Sequence, residues 1–442
     1  MSAHPGDAQT GTAALRLLWR TPRARWLLVA GMLASVLLFS ASMVLRSPEG
    51  LLSRDSVQYW RLGRSLAEGQ GLSFEGQVPS VMRQPLYPLI IAGVTGVFGE
   101  SVLPVQIAQC LLTLGIVLMV GVIATELVGP VAGGVAALLA GAYYPLPVIA
   151  TEVRTESLYI LLMAGLVLCW VRTRKSRSLR WAAACGLCIG LATLTRAVGV
   201  VFIVLVPGAL WLQLGRGAVG RRAAAVALAM AIVPLLPWAA RNYLITGQFR
   251  ALSDEGPAAL YMGVHPMTIT HWHADTAAIE RTEEFRRLLD DDSYLGSEAA
   301  ARFRRAALDR IRRDPWGVGA RALAKVVLTW AYPPGARPLS ARSPLTFALL
   351  CVPQLLLLVA MMRGALTGPR WARSVALIIF LGVSSAIMIG SPTARYTLPF
   401  MPLGLTLAAE PVRRAVGAAW AVAHGRGRRM QPALADCERG ES

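Results

Sequence analysis

Long apolar runs recur along this chain, with short arginine-rich turns between them. A helix needs about 20 apolar residues to cross the ~30 Å hydrocarbon core of a bilayer. In lipid, every backbone N–H and C=O must also be satisfied within the protein. The sequence therefore predicts an all-α polytopic membrane protein. The composition agrees: 16% of residues are charged and mean hydropathy is +0.51, whereas a soluble protein carries about 25% charged residues. The net charge of +19 would ordinarily suggest a nucleic-acid partner. Much of the excess, however, sits in short turns beside apolar runs, which is the bias of cytoplasmic membrane loops. The expected surroundings are membrane lipids, with no nucleic acid.

The arginines also orient the chain. Residues 172–180 hold five basic residues and no acid, and Arg216, Arg221, Arg222, Arg363, Arg370, Arg373 and the tail after Arg413 repeat the pattern. Arg16, Arg20, Arg23 and Arg25 precede the first run, Trp26 to Val44, which lacks a clean cleavage site and reads as an uncleaved span. Both termini are expected in the cytoplasm, so the number of spans is even. About ten fit: 26–45, 101–126, 130–149, 156–171, 181–195, 197–214, 223–238, 344–362, 374–391 and 396–411.

Two shorter apolar segments, Leu86 to Phe98 and residues 315–331, read as juxtamembrane or re-entrant helices on the outer side. The expected organisation is a cytoplasmic tail (1–25), a transmembrane module (26–238) with a first outer loop at 46–99, an extracytoplasmic segment (239–343), the last transmembrane helices (344–411) and a second cytoplasmic tail (412–442). Residues 239–314 hold 12 acids and 11 arginines. A long loop crosses regardless of its charge, so a small, largely helical outer subdomain is expected there, including an amphipathic helix ending near Pro315.

This topology gathers Asp55, Arg83, Glu152, Glu156, Arg241 and Arg395 on the outer side, with Arg196 at the outer end of a span. Charges beside lipid are costly unless paired or facing a polar cavity, so they mark functional sites. Each also has a plainer role. Asp55-Ser-Val-Gln58 fits a capping box that opens a helix reaching about Ala67. Glu156 suits the first turn of a helix, and Arg196 and Arg395 suit interface anchoring. Cys185 and Cys188 lie inside an apolar run with no second pair, so packing is their expected role. His265, His271 and His273, with Asp275 nearby, lack a fixed set of ligands. No metal site is assigned; a divalent metal is conceivable but unsupported, and no cofactor is required. No phosphate-binding, dinucleotide or serine-hydrolase motif is present.

Taken together, Asp55 in the first outer loop, the Pro85-Leu86-Tyr87-Pro88 helix start, Thr155-Glu156-Ser157 opening a span, PWAARNYLITGQF and ARYTLPFMP resemble the GT-C superfamily of integral membrane glycosyltransferases. The resemblance is closest to polyprenyl-phosphate-mannose–protein mannosyltransferases and lipid A aminoarabinose transferases. It implies a GT-C-like bundle in a bacterial inner membrane, with the active site on the outer face. It also implies transfer of a hexosyl or pentosyl group, with inversion, from a polyprenyl-phosphate-sugar donor to a glycan, lipid or protein acceptor. Asp55 and Glu156 match the catalytic acidic positions, and Arg83 and Arg395 match positions that hold the lipid-linked phosphate. Tyr59, Tyr87, Arg196, Arg241, Lys325 and Tyr396 complete the expected substrate-binding set. Ser56 stands where the protein mannosyltransferases have Glu, which argues against protein O-mannosylation. The competing reading is a flippase or transporter of lipid-linked sugars. Transporters tend to show repeated halves and mid-membrane charges, and neither is visible here.

Overall fold

The computed structural model describes residues 6–45, 53–74, 78–253, 256–268, 276–289, 297–331, 344–390 and 394–437. It is a helical bundle, and among the described residues seven helices are long and apolar enough to cross a membrane, Ala218–Thr246 counting as one across its turn at Pro234. Leu33, Leu37, Leu111, Val204, Leu212, Leu356 and Leu381 lie exposed on these helices. A water-soluble protein would bury such a set, so the solvent of this surface is lipid. The chain is a multi-pass membrane protein.

Helix Pro22–Leu45 packs along Pro130–Ala142, which also lies against Leu103–Leu127 and Met401–Cys437. The approach to the first helix is close because the contact is made of glycine: a Cβ on Gly141 would fall 1.8 Å from the carbonyl oxygen of Gly31. Small residues of this kind let membrane helices pack backbone to backbone. The central helix Glu156–Ser176 contacts Leu103–Leu127 and Leu179–Thr195, and Ala218–Ile232 lies against the latter. Pro344–Thr367 packs on Met401–Cys437, and Arg370–Ile389 packs on Pro315–Ala331 and Val200–Leu214.

Several expected spans are interrupted, and proline is the common cause. The stretch 130–149 is a 13-residue helix, a break at Tyr143 and Tyr144, and a short turn Pro145–Ile149. Pro145 and Pro147 have no N–H to continue the ladder. The stretch 223–238 is split at Pro234 into Ala218–Ile232 and Leu235–Thr246. The last span starts as a 3₁₀ turn, Ala394–Phe400, before the α-helix from Met401. The N-terminal segment, expected as a tail, contains a helix, Gly6–Arg20, whose Leu18 is fully buried.

The two ends of the bundle differ. At one end Arg172 Nε donates to Glu126 Oε1 at 2.9 Å, Arg174 Nη1 donates to the Gln213 carbonyl at 2.9 Å, and the Arg174 guanidinium lies over Trp371 at 5.3 Å. The arginine-rich turns therefore converge there. Glu156, sixteen residues earlier on the helix bearing Arg172, is ~24 Å away at ~1.5 Å per residue. Around Glu156 sit the shorter elements: Arg54–Ala67, Leu86–Phe98 packed on it, and a minimal hairpin pairing Ser73–Phe74 with Val78–Pro79.

Beyond them lies the small helical subdomain expected from the sequence. Its own core joins Tyr261, Val264, Ile279, Phe285, Phe303 and Ala307. It includes Ser297–Arg313, which ends just before Pro315.

Candidate active site

Asp55 owes its position to helix Arg54–Ala67. Ser53, in extended backbone, caps that helix by accepting from the Ser56 N–H at 3.2 Å. Asp55 therefore lies inside the first turn and is not the cap, which corrects the capping-box expectation. Gln58 does not reach back to the helix start. Its Oε1 accepts from Arg83 Nε at 3.1 Å and from Nη2 at 2.6 Å. Arg83 is thereby aimed at Asp55 Oδ1, 2.7 Å from its Nη2. The Arg83 guanidinium also lies 5.1 Å from the centre of the Tyr59 ring, and Tyr87 meets that ring edge-on at 5.4 Å.

Glu156 is positioned from behind. Gln106 and Gln109 on the Leu103–Leu127 helix donate to the carbonyls of Ala150, Thr151 and Glu152, fixing the turn before Glu156. Tyr87 donates to Gln109 at 2.9 Å and ties the two outer helices to the same support. Arg196 follows the last turn of Leu179–Thr195, where the backbone becomes extended. Its Nη1 donates to Glu156 Oε1 at 3.0 Å and to Thr155 Oγ1 at 2.8 Å.

Arg395 closes the arrangement. Its Nη2 donates to Asp55 Oδ2 at 2.9 Å, and its Nη1 lies 3.3 Å from Glu156 Oε1. Neither Arg196 nor Arg395 is a lipid-facing anchor, since both side chains are 17% exposed. Tyr396 presents its ring to both, with guanidinium–centroid distances of 5.2 and 5.8 Å.

These residues surround an open cavity of about 150 Å³, whose wall includes Asp55, Tyr59, Arg83, Arg154, Glu156, Arg196, Arg395 and Tyr396. Arg83, Arg196 and Arg395 thus face two carboxylates, while Arg154 is paired with Glu152, and the excess of one guanidinium suits an anion. Burial alone would raise the pKa of Asp55, but Arg83 and Arg395 outweigh it and hold the carboxyl well below the ordinary carboxylate range. A narrow second space of about 20 Å³ shares Glu156, Arg196, Arg395 and Tyr396 and continues between helices along Ile160, Phe202 and Val383. A polar chamber therefore opens onto a mainly apolar slot.

Three expected residues stand behind the cavity rather than in its wall. Tyr87 is the buried support just described. Arg241 donates to the carbonyls of Leu72 and Ser80 and holds the hairpin loop. Lys325, expected to bind substrate, places all three ammonium donors on the carbonyls of Gly263, Met388 and Gly390, at 2.7–2.9 Å. Its role here is to clamp two chain ends together. Glu152 ion-pairs with Arg154.

Gln58, expected only in a capping box, and Gln84, Arg154 and Thr155 were not among the expected site residues, yet Gln84, Arg154 and Thr155 line the cavity and Gln58 holds Arg83. Gln58 and Thr155 are sequence neighbours of the acids they serve, and that adjacency was the available signal. Among the described residues no three His, Cys, Asp or Glu side chains converge. His271, His273 and Asp275 lie outside the described residues.

Residues 79–240 match the model of the dolichyl-phosphate-mannose-protein mannosyltransferase family. Comparison with curated proteins finds no match. Among solved structures, the chain is similar to the archaeal oligosaccharyltransferase AglB from Archaeoglobus fulgidus in complex with an inhibitory peptide and a dolichol-phosphate. That match has a TM-score of 0.51 and 13% identity over 90% of this chain and 52% of the other. A second structure of that oligosaccharyltransferase, with Zn and sulfate, gives 0.51 and 12% over 91% and 51%. ArnT from Cupriavidus metallidurans bound to undecaprenyl phosphate matches at 0.40 and 16%, over 89% and 79%. The chain thus spans about half the length of the oligosaccharyltransferase, and what is shared at these identities is the fold.

Proposed function

We propose, for a chain with the GT-C fold and this cavity, that it transfers a sugar from a polyprenyl-phosphate donor to an acceptor hydroxyl at the extracytoplasmic face of a bacterial inner membrane. The observation carrying this reading is the bridge of Arg395 between Asp55 and Glu156, with Arg83 and Arg196 on either side. The family match and the fold likeness support the same class of chemistry. The arginine-rich end of the bundle faces the cytoplasm by the positive-inside bias, which puts the cavity outside. The apolar slot beside Phe202 holds the first prenyl units, and the polar chamber holds phosphate and sugar.

The reaction is a direct displacement. The acceptor oxygen attacks the anomeric carbon from the face opposite the phosphate and forms the new C–O bond. The bond from that carbon to the phosphate oxygen breaks, and its electron pair leaves with polyprenyl phosphate. The acceptor proton passes to Asp55, and the product has inverted configuration. Charge grows on the departing phosphate, and guanidinium groups fixed in a half-buried site stabilise it. Arg395 Nε, buried and without a partner among the described residues, is available for a phosphate oxygen. In the unliganded protein both Asp55 oxygens are tied to arginine. A phosphate that draws those arginines away restores basicity to the carboxylate when the donor is in place.

The rival reading, a flippase of lipid-linked sugars, is separated by one assay. Proteoliposomes receive radiolabelled undecaprenyl-phosphate sugars and membrane extract as acceptor source. Transfer of label to an acceptor with release of undecaprenyl phosphate is the expected result. Movement of unchanged lipid between leaflets without transfer would sink the enzyme reading.

A further inference from the structure

Gln84 lies between Arg83 and the Pro85 start of the Leu86–Phe98 helix and forms part of the cavity wall. It is 3% exposed, and both its amide oxygen and its amide nitrogen are buried without a hydrogen-bond partner among the described residues. Buried amides are almost always paired, because leaving donor and acceptor unmade forfeits their hydration with nothing in return. A native side chain that leaves both groups orphaned beside a substrate cavity calls for an explanation. Its neighbours do not supply one: Arg83 is committed to Gln58 and Asp55, and Asp55 is tied to Arg83 and Arg395.

We infer that Gln84 reads the transferred sugar, its amide nitrogen donating to one ring hydroxyl and its amide oxygen accepting from the adjacent one. The chemistry selects this partner. An amide offers one acceptor and one donor side by side, and a pair of neighbouring hydroxyls offers the complement. Phosphate oxygens only accept, so a phosphate would leave the amide oxygen unpaired and facing an anion. The arginines already supply the phosphate contacts. Gln84 therefore sets which sugar is accepted and in which orientation its anomeric carbon meets the acceptor. It is a specificity-determining residue and carries no proton in the reaction.

This inference rests on the donor reading of the cavity, and its test keeps the two apart. Gln84→Met keeps the length of the side chain and removes the unpaired amide. In the unliganded full chain in detergent, the variant is expected to melt about 1–2 °C higher than the parent, because an orphaned polar pair has been removed. A lower melting temperature would mean that the amide is bonded within the protein, and would overturn the inference whatever the ligand.

Affinity is then measured for undecaprenyl phosphate and for undecaprenyl phosphate carrying mannose, glucose, galactose or arabinose. Gln84→Met should bind the bare lipid phosphate within twofold of the parent. It should lose about tenfold toward the sugar-bearing lipid that the parent binds best. Equal loss toward both lipids, or no loss toward either, contradicts the assignment. Unchanged donor affinity with a rate defect confined to low acceptor concentration also contradicts it and moves the amide to the acceptor. If the parent binds none of these lipids, the donor reading itself falls, and the melting comparison still judges the orphaned amide.

Discussion

Asp55 is held by two guanidinium groups from sequence positions 28 and 340 residues away, and its protonation follows from them. With its folded-state pKa depressed, the carboxylate stays ionised below the ordinary value of about 4. The group's contribution to stability is therefore present above that value and is lost as pH falls through the folded-state pKa. A base of this kind gives kcat/KM no acid limb at pH 5 or above. Arg83→Gln removes the first lowering influence and leaves burial less opposed, so an acid limb should move up into the measurable range. A pH–rate profile of the variant that stays flat would refute this account of Asp55.

Glu156 shows the same economy from the other side. Its 5%-exposed carboxylate faces Arg196 and Arg395, so Glu156→Gln leaves two half-buried arginines short of counter-charge. A loss of about 3–5 kcal/mol on denaturant unfolding is expected. A neutral result would mean that water reaches these arginines freely.

Helices, rather than residues, define the apolar slot that we propose for the prenyl chain. Gly382 on Arg370–Ile389 faces Phe202 on Val200–Leu214, and a Cβ there would come within 2.5 Å of the ring. Gly382→Leu should therefore push Phe202 into the slot and weaken undecaprenyl phosphate binding about tenfold, ~1.4 kcal/mol. Binding of a water-soluble sugar phosphate should be unchanged, and equal loss of both would mean general damage instead.

In the small helical unit around Tyr261 and Phe303, burial and the nearby Arg310 lower the pKa of His265 to about 4. The folded form binds fewer protons than the unfolded one, so stability is full above about pH 6.5 and declines from there toward pH 4. Amide protection factors in helices Gly256–Val264 and Ser297–Arg313 should fall over that window, once exchange is corrected for its intrinsic pH dependence, and His265→Gln should abolish the fall.

Much at this scale was readable from sequence. The helices at 86–98 and 315–331 appear where apolar pattern and proline placed them, and the one at 54–67 forms as expected although Ser53, not Asp55, caps it. What was not readable depends on partners far along the chain. Helix Gly6–Arg20 is held by Leu18 against Gly121 and Gly133, a contact that no local periodicity reveals. The duties of Lys325 and Arg241 are likewise set by carbonyls brought to them by folding. The convergence of Asp55, Arg83, Glu156, Arg196 and Arg395 was legible because membrane topology forces outer-side charges together. The division of labour among them was not.

The whole molecule is a bundle with two unlike ends, a basic one around Arg172 and Arg174 and a cavity around Asp55 and Glu156, joined by the Glu156–Ser176 helix. In the function we propose, a lipid-borne substrate enters sideways along the apolar slot while its head group meets these fixed charges. Our central claim is that Asp55 accepts the proton of the attacking hydroxyl. The most direct measurement compares the parent and Asp55→Asn in proteoliposomes, following release of undecaprenyl phosphate from the preferred donor with acceptor present. The account predicts a fall in rate of about 10²–10⁴-fold, with binding of undecaprenyl phosphate retained. Turnover by Asp55→Asn at the parental rate would contradict it.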